Sequence, residues 1–193
     1  MARVNRRLAM VWIATFLAAC AVPEGPPVRP ATWAAPLPST ELENFHRVAP
    51  DLYRCAQPSA AGMRELASTG VRSVVNLRYM HSDRDEVAGT GLALVELPDH
   101  AFAFGYRDLC EALRAVLQAP KPVVVHCQHG ADRTGALCAA WRVAVDGWTP
   151  QQALDEMCGG GFGHSRWFPN LRALVLGLDR ARLRADVGLP SVP

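Results

Sequence analysis

Cys127 is followed six residues later by Arg133 and Thr134, in the run Val123-Val124-Val125-His126-Cys127-Gln128-His129-Gly130-Ala131-Asp132-Arg133-Thr134-Gly135. A thiol, a guanidinium and a hydroxyl at this spacing suit phosphoryl transfer to sulfur. Such a transfer needs a thiolate, whereas a free cysteine, with a pKa of about 8.5, is mostly protonated at neutral pH. A helix opening near Arg133 supplies orphan N–H groups and a dipole that favour an anion. The loop amides of Gln128, His129, Gly130, Ala131, Asp132 and Arg133 then form a concave nest for the phosphate oxygens, and these are the expected substrate-binding residues. Gly130 allows the close backbone approach that a nest demands. Arg133 offers a planar fork for bidentate phosphate binding, which lysine cannot reproduce. Thr134 is expected to donate its hydroxyl to the sulfur. Loop and arginine provide the positive field, so the scheme predicts no metal and no cofactor.

Spacing alone is a weak signal, because six cysteines among many arginines produce such a pair readily by chance. Only Cys127 has an arginine six residues on, and its setting adds weight: an apolar strand before it and an apolar helix after it. The elements needed to hold this loop are legible. Leu52–Cys55 reads as a short strand, and Ser59 caps a helix running to about Ser68, closed by Gly70. Val71–Leu77 and Leu92–Leu97 are strand-like, and Pro122–His126 has the continuous apolar run of a central strand. Helices are expected over Arg107–Gln118, Arg133–Asp146, Pro150 to about Met157 with Thr149 as its cap, and Phe168–Ala185. Strands alternating with helices predict an α/β fold: a central, mostly parallel sheet of four to five strands flanked by helices. The loop then sits at the carboxyl end of a strand, where such sheets bind ligands.

The signature His126-Cys127-x5-Arg133-Thr134-Gly135 resembles the phosphate loop of cysteine-based protein tyrosine and dual-specificity phosphatases. Asn44-Phe45-His46-Arg47-Val48, with Leu52 to Ser59, is similar to the opening segment of their compact bacterial members. Val74-Val75-Asn76-Leu77-Arg78 looks like their second strand, and Gly160 to Gly163 falls where they carry a glycine-rich turn. The resemblance spans roughly residues 44 to 178. Cys55 departs from it, since relatives usually have serine there, and the loop lacks the basic residues of many inositol-phosphate-directed relatives. The resemblance implies a dual-specificity-like fold and a phosphomonoester hydrolase working through a cysteinyl-phosphate. It also implies an aspartate general acid on a loop after a strand, some tens of residues before the cysteine. Asp99, in Leu97-Pro98-Asp99-His100, fits that position. Asp132 is the rival, although a carboxylate beside an arginine is a poor proton donor, and Asp108 is a weaker third.

The N-terminus bears on location. Met1 to Arg7 is basic, Leu8 to Ala19 is apolar, and Leu17-Ala18-Ala19-Cys20 has the form of a lipobox. These features describe an export signal over residues 1–19, with Cys20 the expected lipidation site. Twelve apolar residues fall short of the roughly twenty that a membrane span needs. Ala21 in place of aspartate argues against retention at the inner membrane, so a lipid-anchored, periplasm-facing outer-membrane protein is expected. Six of the fifteen prolines fall within residues 21–40, which together with Cys20 read as a tether in which Trp33 is incidental. Residues 41–193 are one catalytic domain's worth of chain.

Loss of Arg3, Arg6 and Arg7 with the leader leaves 17 basic against 18 acidic residues, and Lys121 is the only lysine. Nothing in that balance argues for nucleic acid. The expected partners are a phosphorylated protein or small phosphomonoester and, through the anchor, a membrane. Five cysteines remain besides Cys20, an odd number that leaves at least one free thiol. His126 is expected to organise the loop, and His129 to rim the pocket. Residues 79–86 read as a solvated loop, Gly159–Gly163 as a plain flexible turn, and Cys138 as core. The histidines show no metal-ligand spacing. Two other functions fit a reactive cysteine in an anion loop: a rhodanese-like sulfurtransferase, or a non-catalytic phosphate-binding lipoprotein. The five-residue gap to Arg-Thr disfavours the first, and the intact nucleophile disfavours the second.

Overall fold

Val123, Val124 and Val125 are all fully buried, so β6 (Val123–His126) packs on both of its faces, as its unbroken apolar run requires. The computed structural model describes residues 29–191, and the leader and Cys20 lie outside them. Five further strands accompany β6: β1 (Ala35–Pro36), β2 (His46–Ala49), β3 (Leu52–Cys55), β4 (Ser73–Arg78) and β5 (Ala93–Asp99). Their spatial order is β1-β2-β3-β6-β4-β5. The β3/β6, β6/β4 and β4/β5 pairs are parallel, and β1/β2 and β2/β3 are antiparallel.

The helices divide between two faces. On one, α1 (Ala60–Ser68) lays Met63 and Leu66 against Val74, Val124 and Cys55. On the other, Val75, Val123 and Val125 meet α3 (Tyr106–Gln118), α4 (Asp132–Trp141), α5 (Pro150–Gly159) and α6 (Pro169–Leu176). The short helices α2 (Arg84–Val87) and α7 (Arg180–Asp186) complete the set. Helix α4 is buried from Thr134 through Trp141, the central helix its composition predicts.

The α/β reading with its mostly parallel sheet holds, with three differences of detail. The sheet has six strands, and β1 comes from the segment read as tether. Ala34 there is buried and donates its N–H to Glu156 Oε1, and Trp33 packs on Gly159. Those long-range contacts leave no local trace in a proline-rich stretch. The helix expected over Phe168–Ala185 is two helices, because Gly177 ends α6 and Asp179 starts α7 by accepting from Arg182 N–H at 2.7 Å. The helix expected to run to Asp146 widens after Trp141 into a π-helical turn, Arg142–Asp146, stopped by left-handed Gly147.

Candidate active site

Cys127 immediately follows β6, and α4 begins five residues later at Asp132, so the loop between them must turn back sharply over the sheet edge. Gly130 makes the turn with φ +65°, and a Cβ there would lie 2.2 Å from the Cys55 carbonyl oxygen. No other residue fits that contact without moving β3. Cys127 is 2 % exposed at the floor of a pocket of about 220 Å³. Gln128, His129, Asp132 and Arg133 line it, with Ala101, Gly163, Ser165 and Phe168 from three other parts of the chain. Gly130 and Ala131 lie behind this wall, buried against the fold.

Arg133 is held from outside the loop. Its Nη1 donates to the carbonyls of Leu77 (2.7 Å) and Asp99 (2.6 Å), at the ends of β4 and β5. Nε has no protein partner. The Nε–Nη2 edge is therefore the fork left for an oxyanion. Thr134 is fully buried, but the expected bond from its hydroxyl to Cys127 is not formed, and Oγ1 has no partner among the described residues. A hydroxyl rotates freely about its C–O bond, and the hydrogen-bonded frame does not hold this one on the sulfur.

Asp99, the last residue of β5, is half-buried. Burial, with the neighbouring carboxylates of Asp108 and Glu111, pushes it up to about 6 against the opposing pull of Arg133. A carboxyl with that affinity for its proton can donate near neutrality. Asp132, its rival, also lines the pocket, but its carboxylate is engaged by the glycine-rich loop. Its Oδ1 accepts from Ser165 N–H at 2.8 Å and lies 2.9 Å from His164 Nδ1. Asp108 accepts from Gly105 N–H at 2.9 Å and caps α3, which commits it to the helix start.

Sequence reasoning missed the supports of the loop. His126 Nε2 donates to Asp83 Oδ2 at 2.6 Å, both groups being fully buried. Gln57 Nε2 donates to the other oxygen of Asp83 at 2.7 Å, and Gln57 N–H donates to Gln128 O. Burial raises the Asp83 carboxyl, but its bonds to His126 and Gln57 and the charge of His126 outweigh that, and the net direction is down. The stretch read as a solvated loop thus carries a buried anion bonded to His126, the residue before Cys127, with nothing in its polar composition to single out this aspartate. His81, Asp83 and Glu86 also bring one ligand-type atom each within 4.8 Å of one another. Asp83 spends both oxygens on His126 and Gln57 there.

Asn44 Nδ2 donates to His129 O and Phe162 O, both at 2.9 Å, and so ties the phosphate loop to the glycine-rich turn. That turn is not a plain flexible one. Phe162 is 2 % exposed, between left-handed Gly161 and Gly163, and its ring packs edge-on to His46. Phe168, at the pocket wall, continues an aromatic file: Phe102 lies 4.8 Å from it, His100 5.8 Å from Phe102, and Tyr79 5.3 Å from His100. Phe102 and Tyr79 stay largely exposed.

Residues 38–163 match the family described as DSP-PTPase phosphatase fused to NAD+ kinase. The chain is also 34% identical, over 188 residues, to the dual specificity protein phosphatase TpbA of Pseudomonas aeruginosa strain UCBPP-PA14, covering 92% of this chain and 86% of that protein. This chain belongs to the dual-specificity branch of the cysteine-based phosphatases. The crystal structure of P. aeruginosa TpbA superposes with a TM-score of 0.73 at 32% identity, covering 83% of this chain and 99% of that one. A variant of TpbA in complex with pTyr matches equally well, with the same score, identity and coverage. The chain is accordingly a phosphatase of protein tyrosine and dual-specificity type, and the sulfurtransferase and silent-binder alternatives find no support. The five cysteines within the described residues are free thiols.

Proposed function

We propose that this phosphatase hydrolyses phosphotyrosyl esters through a covalent phosphocysteine. The observation that carries the reading is a thiol and a free guanidinium fork in one pocket, with that guanidinium held by the carbonyl of Asp99, whose own carboxyl has a raised proton affinity. Cys127 sulfur attacks phosphorus while the ester P–O bond breaks, and Asp99 gives its proton to the departing oxygen. Asp99 then takes a proton from water, whose oxygen attacks phosphorus and breaks the S–P bond, returning sulfur with its electron pair. Arg133 spans two non-bridging oxygens in both steps, where charge concentrates. The Thr134 hydroxyl can turn toward sulfur as it leaves with negative charge. The file Phe168–Phe102–His100–Tyr79 supports an aryl ester, because an aromatic leaving group can pack on it. The pTyr seen with TpbA supports the same choice.

Full-length protein, purified in detergent and reducing agent, should hydrolyse p-nitrophenyl phosphate and phosphotyrosyl peptide without added metal, with inhibition by vanadate. Cys127→Ser should abolish turnover and keep phosphate binding, since the nest survives. Turnover by Cys127→Ser would exclude the covalent route.

The lipobox supports a second part of the proposal: Cys20 becomes the lipidated mature N-terminus, with the enzyme facing the periplasm from the outer membrane. A palmitate-analogue label should enter the chain and disappear in Cys20→Ala. Equal labelling of that variant would refute the anchor.

A further inference from the structure

Arg54 lies in β3 and is 1 % exposed, one of the largest fully buried side chains among the described residues. It pairs in register with Val125 and shares the sheet face of Leu52, Val125 and Cys127, beneath the phosphate loop. Its Nη2 donates to Gly130 O, and its guanidinium carbon sits 3.7 Å from the centre of the Phe162 ring. Nε has no partner, and Arg54 makes no ion pair among the described residues. The buried carboxylate in this region, Glu156, spends both oxygens on Arg142, at 2.7 and 2.8 Å, and one of them also on Ala34 N–H. The other titratable or charged neighbours are Cys55 on β3, Cys138 on α4, His46 on β2 and Arg29, none of them an anion in the free protein. A buried charge without a counter-charge is strongly unfavourable unless something in the functional cycle supplies one.

We infer that Arg54 is a positioning residue whose counter-charge is the anion held by the phosphate loop: the phosphoryl group and the Cys127 thiolate. The inference rests on the phosphatase reading of that loop. In a trans peptide the carbonyl and the following N–H point in opposite directions. By holding Gly130 O below the loop, Arg54 aims Ala131 N–H away from itself, to the side where the phosphate oxygens bind. Its charge then adds to a field already set by the α4 N-terminus and Arg133. His46 registers that field: burial lowers its proton affinity, a bond to Asn44 O opposes this, and the charges of Arg54 and Arg29 lower it further. Phe162, stacked on the guanidinium, ties the same residue to the glycine-rich turn.

Three variants separate charge from hydrogen bonding. Arg54→Lys keeps the charge, Arg54→Gln keeps a donor for Gly130 without charge, and Arg54→Met keeps neither. The readouts on full-length protein are vanadate and inorganic phosphate inhibition, the rate of Cys127 alkylation by iodoacetate at pH 6, and melting temperature. Anion affinity and alkylation rate should fall about tenfold in Arg54→Gln and Arg54→Met, and by no more than about threefold in Arg54→Lys. If Arg54→Met does not fold, the lysine and glutamine pair decides. Variants that melt lower yet bind vanadate and react with iodoacetate within twofold of the parent would make Arg54 a packing residue and overturn the inference. A parent protein that vanadate does not inhibit would remove the phosphatase reading first, and the inference with it.

Discussion

Asp83 lies just beyond β4 and Asp99 ends the neighbouring parallel strand β5, yet they meet opposite fates. Asp83 is fully buried but accepts from His126 and Gln57, and its proton affinity ends below the ordinary aspartate value. Asp99 is only half-buried, yet burial is the main reason it ends near 6, and the carboxylates of Asp108 and Glu111 add to the rise. Burial thus raises both carboxyls. The partners decide the outcome: donors reverse the effect at Asp83, whereas at Asp99 nearby carboxylates reinforce it. One fold thereby holds a buried anion beneath the Cys127 loop and, on the residue whose carbonyl binds Arg133, a carboxyl that keeps its proton up to about 6.

The largest test of this contrast is Asp99→Asn. It should slow hydrolysis of a poor leaving group by about 10²–10⁴-fold and of p-nitrophenyl phosphate far less, because an activated phenolate leaves without protonation. If Asp132→Asn shows that selectivity and Asp99→Asn does not, the roles are reversed.

The pH dependence sharpens it next. Turnover of the poor leaving group should fall as pH rises through about 6, where Asp99 loses its proton, and the limb should vanish in Asp99→Asn. Stability responds with opposite signs at the two residues. Between 3.8 and about 6 folded Asp99 keeps a proton that the unfolded chain has released, so its contribution falls as pH rises. Asp83, held low, contributes fully above 3.8 and loses that contribution as pH falls through its folded value. Urea unfolding across pH, in the parent and each Asn variant, separates the two.

Asp83→Asn should cost about 1–3 kcal/mol, because an amide group replaces an acceptor and faces the donor of His126 or Gln57. Its pH–rate limb should stay where the parent's is, which distinguishes a support from an acid. A displaced limb would break the contrast. The smallest effect is expected from Asp132→Asn, about 1 kcal/mol and a few-fold rise in KM from a loosened Ser165 contact, with little change in kcat.

The loop from Cys127 to Thr134 was legible because its chemistry is contiguous: strand, turn glycine, arginine and helix start follow one another within a dozen residues. Local rules of periodicity, capping and glycine conformation act over that distance. They also placed four of the six strands and put Asp99 at a strand end. They could not show that Asp83, in a polar run, sinks beneath His126, nor that Ala34 and Trp33 leave a proline-rich stretch to pack on α5. Arg54 has the same character, an arginine in a four-residue strand whose meaning depends on Gly130, 76 residues later. By itself the sequence determined the family, the mostly parallel sheet and the strand–loop–helix unit that carries Cys127 and Arg133. Only the tertiary structure decided which charges are buried, which are paired and which remain free, because those energies depend on contacts between segments distant along the chain.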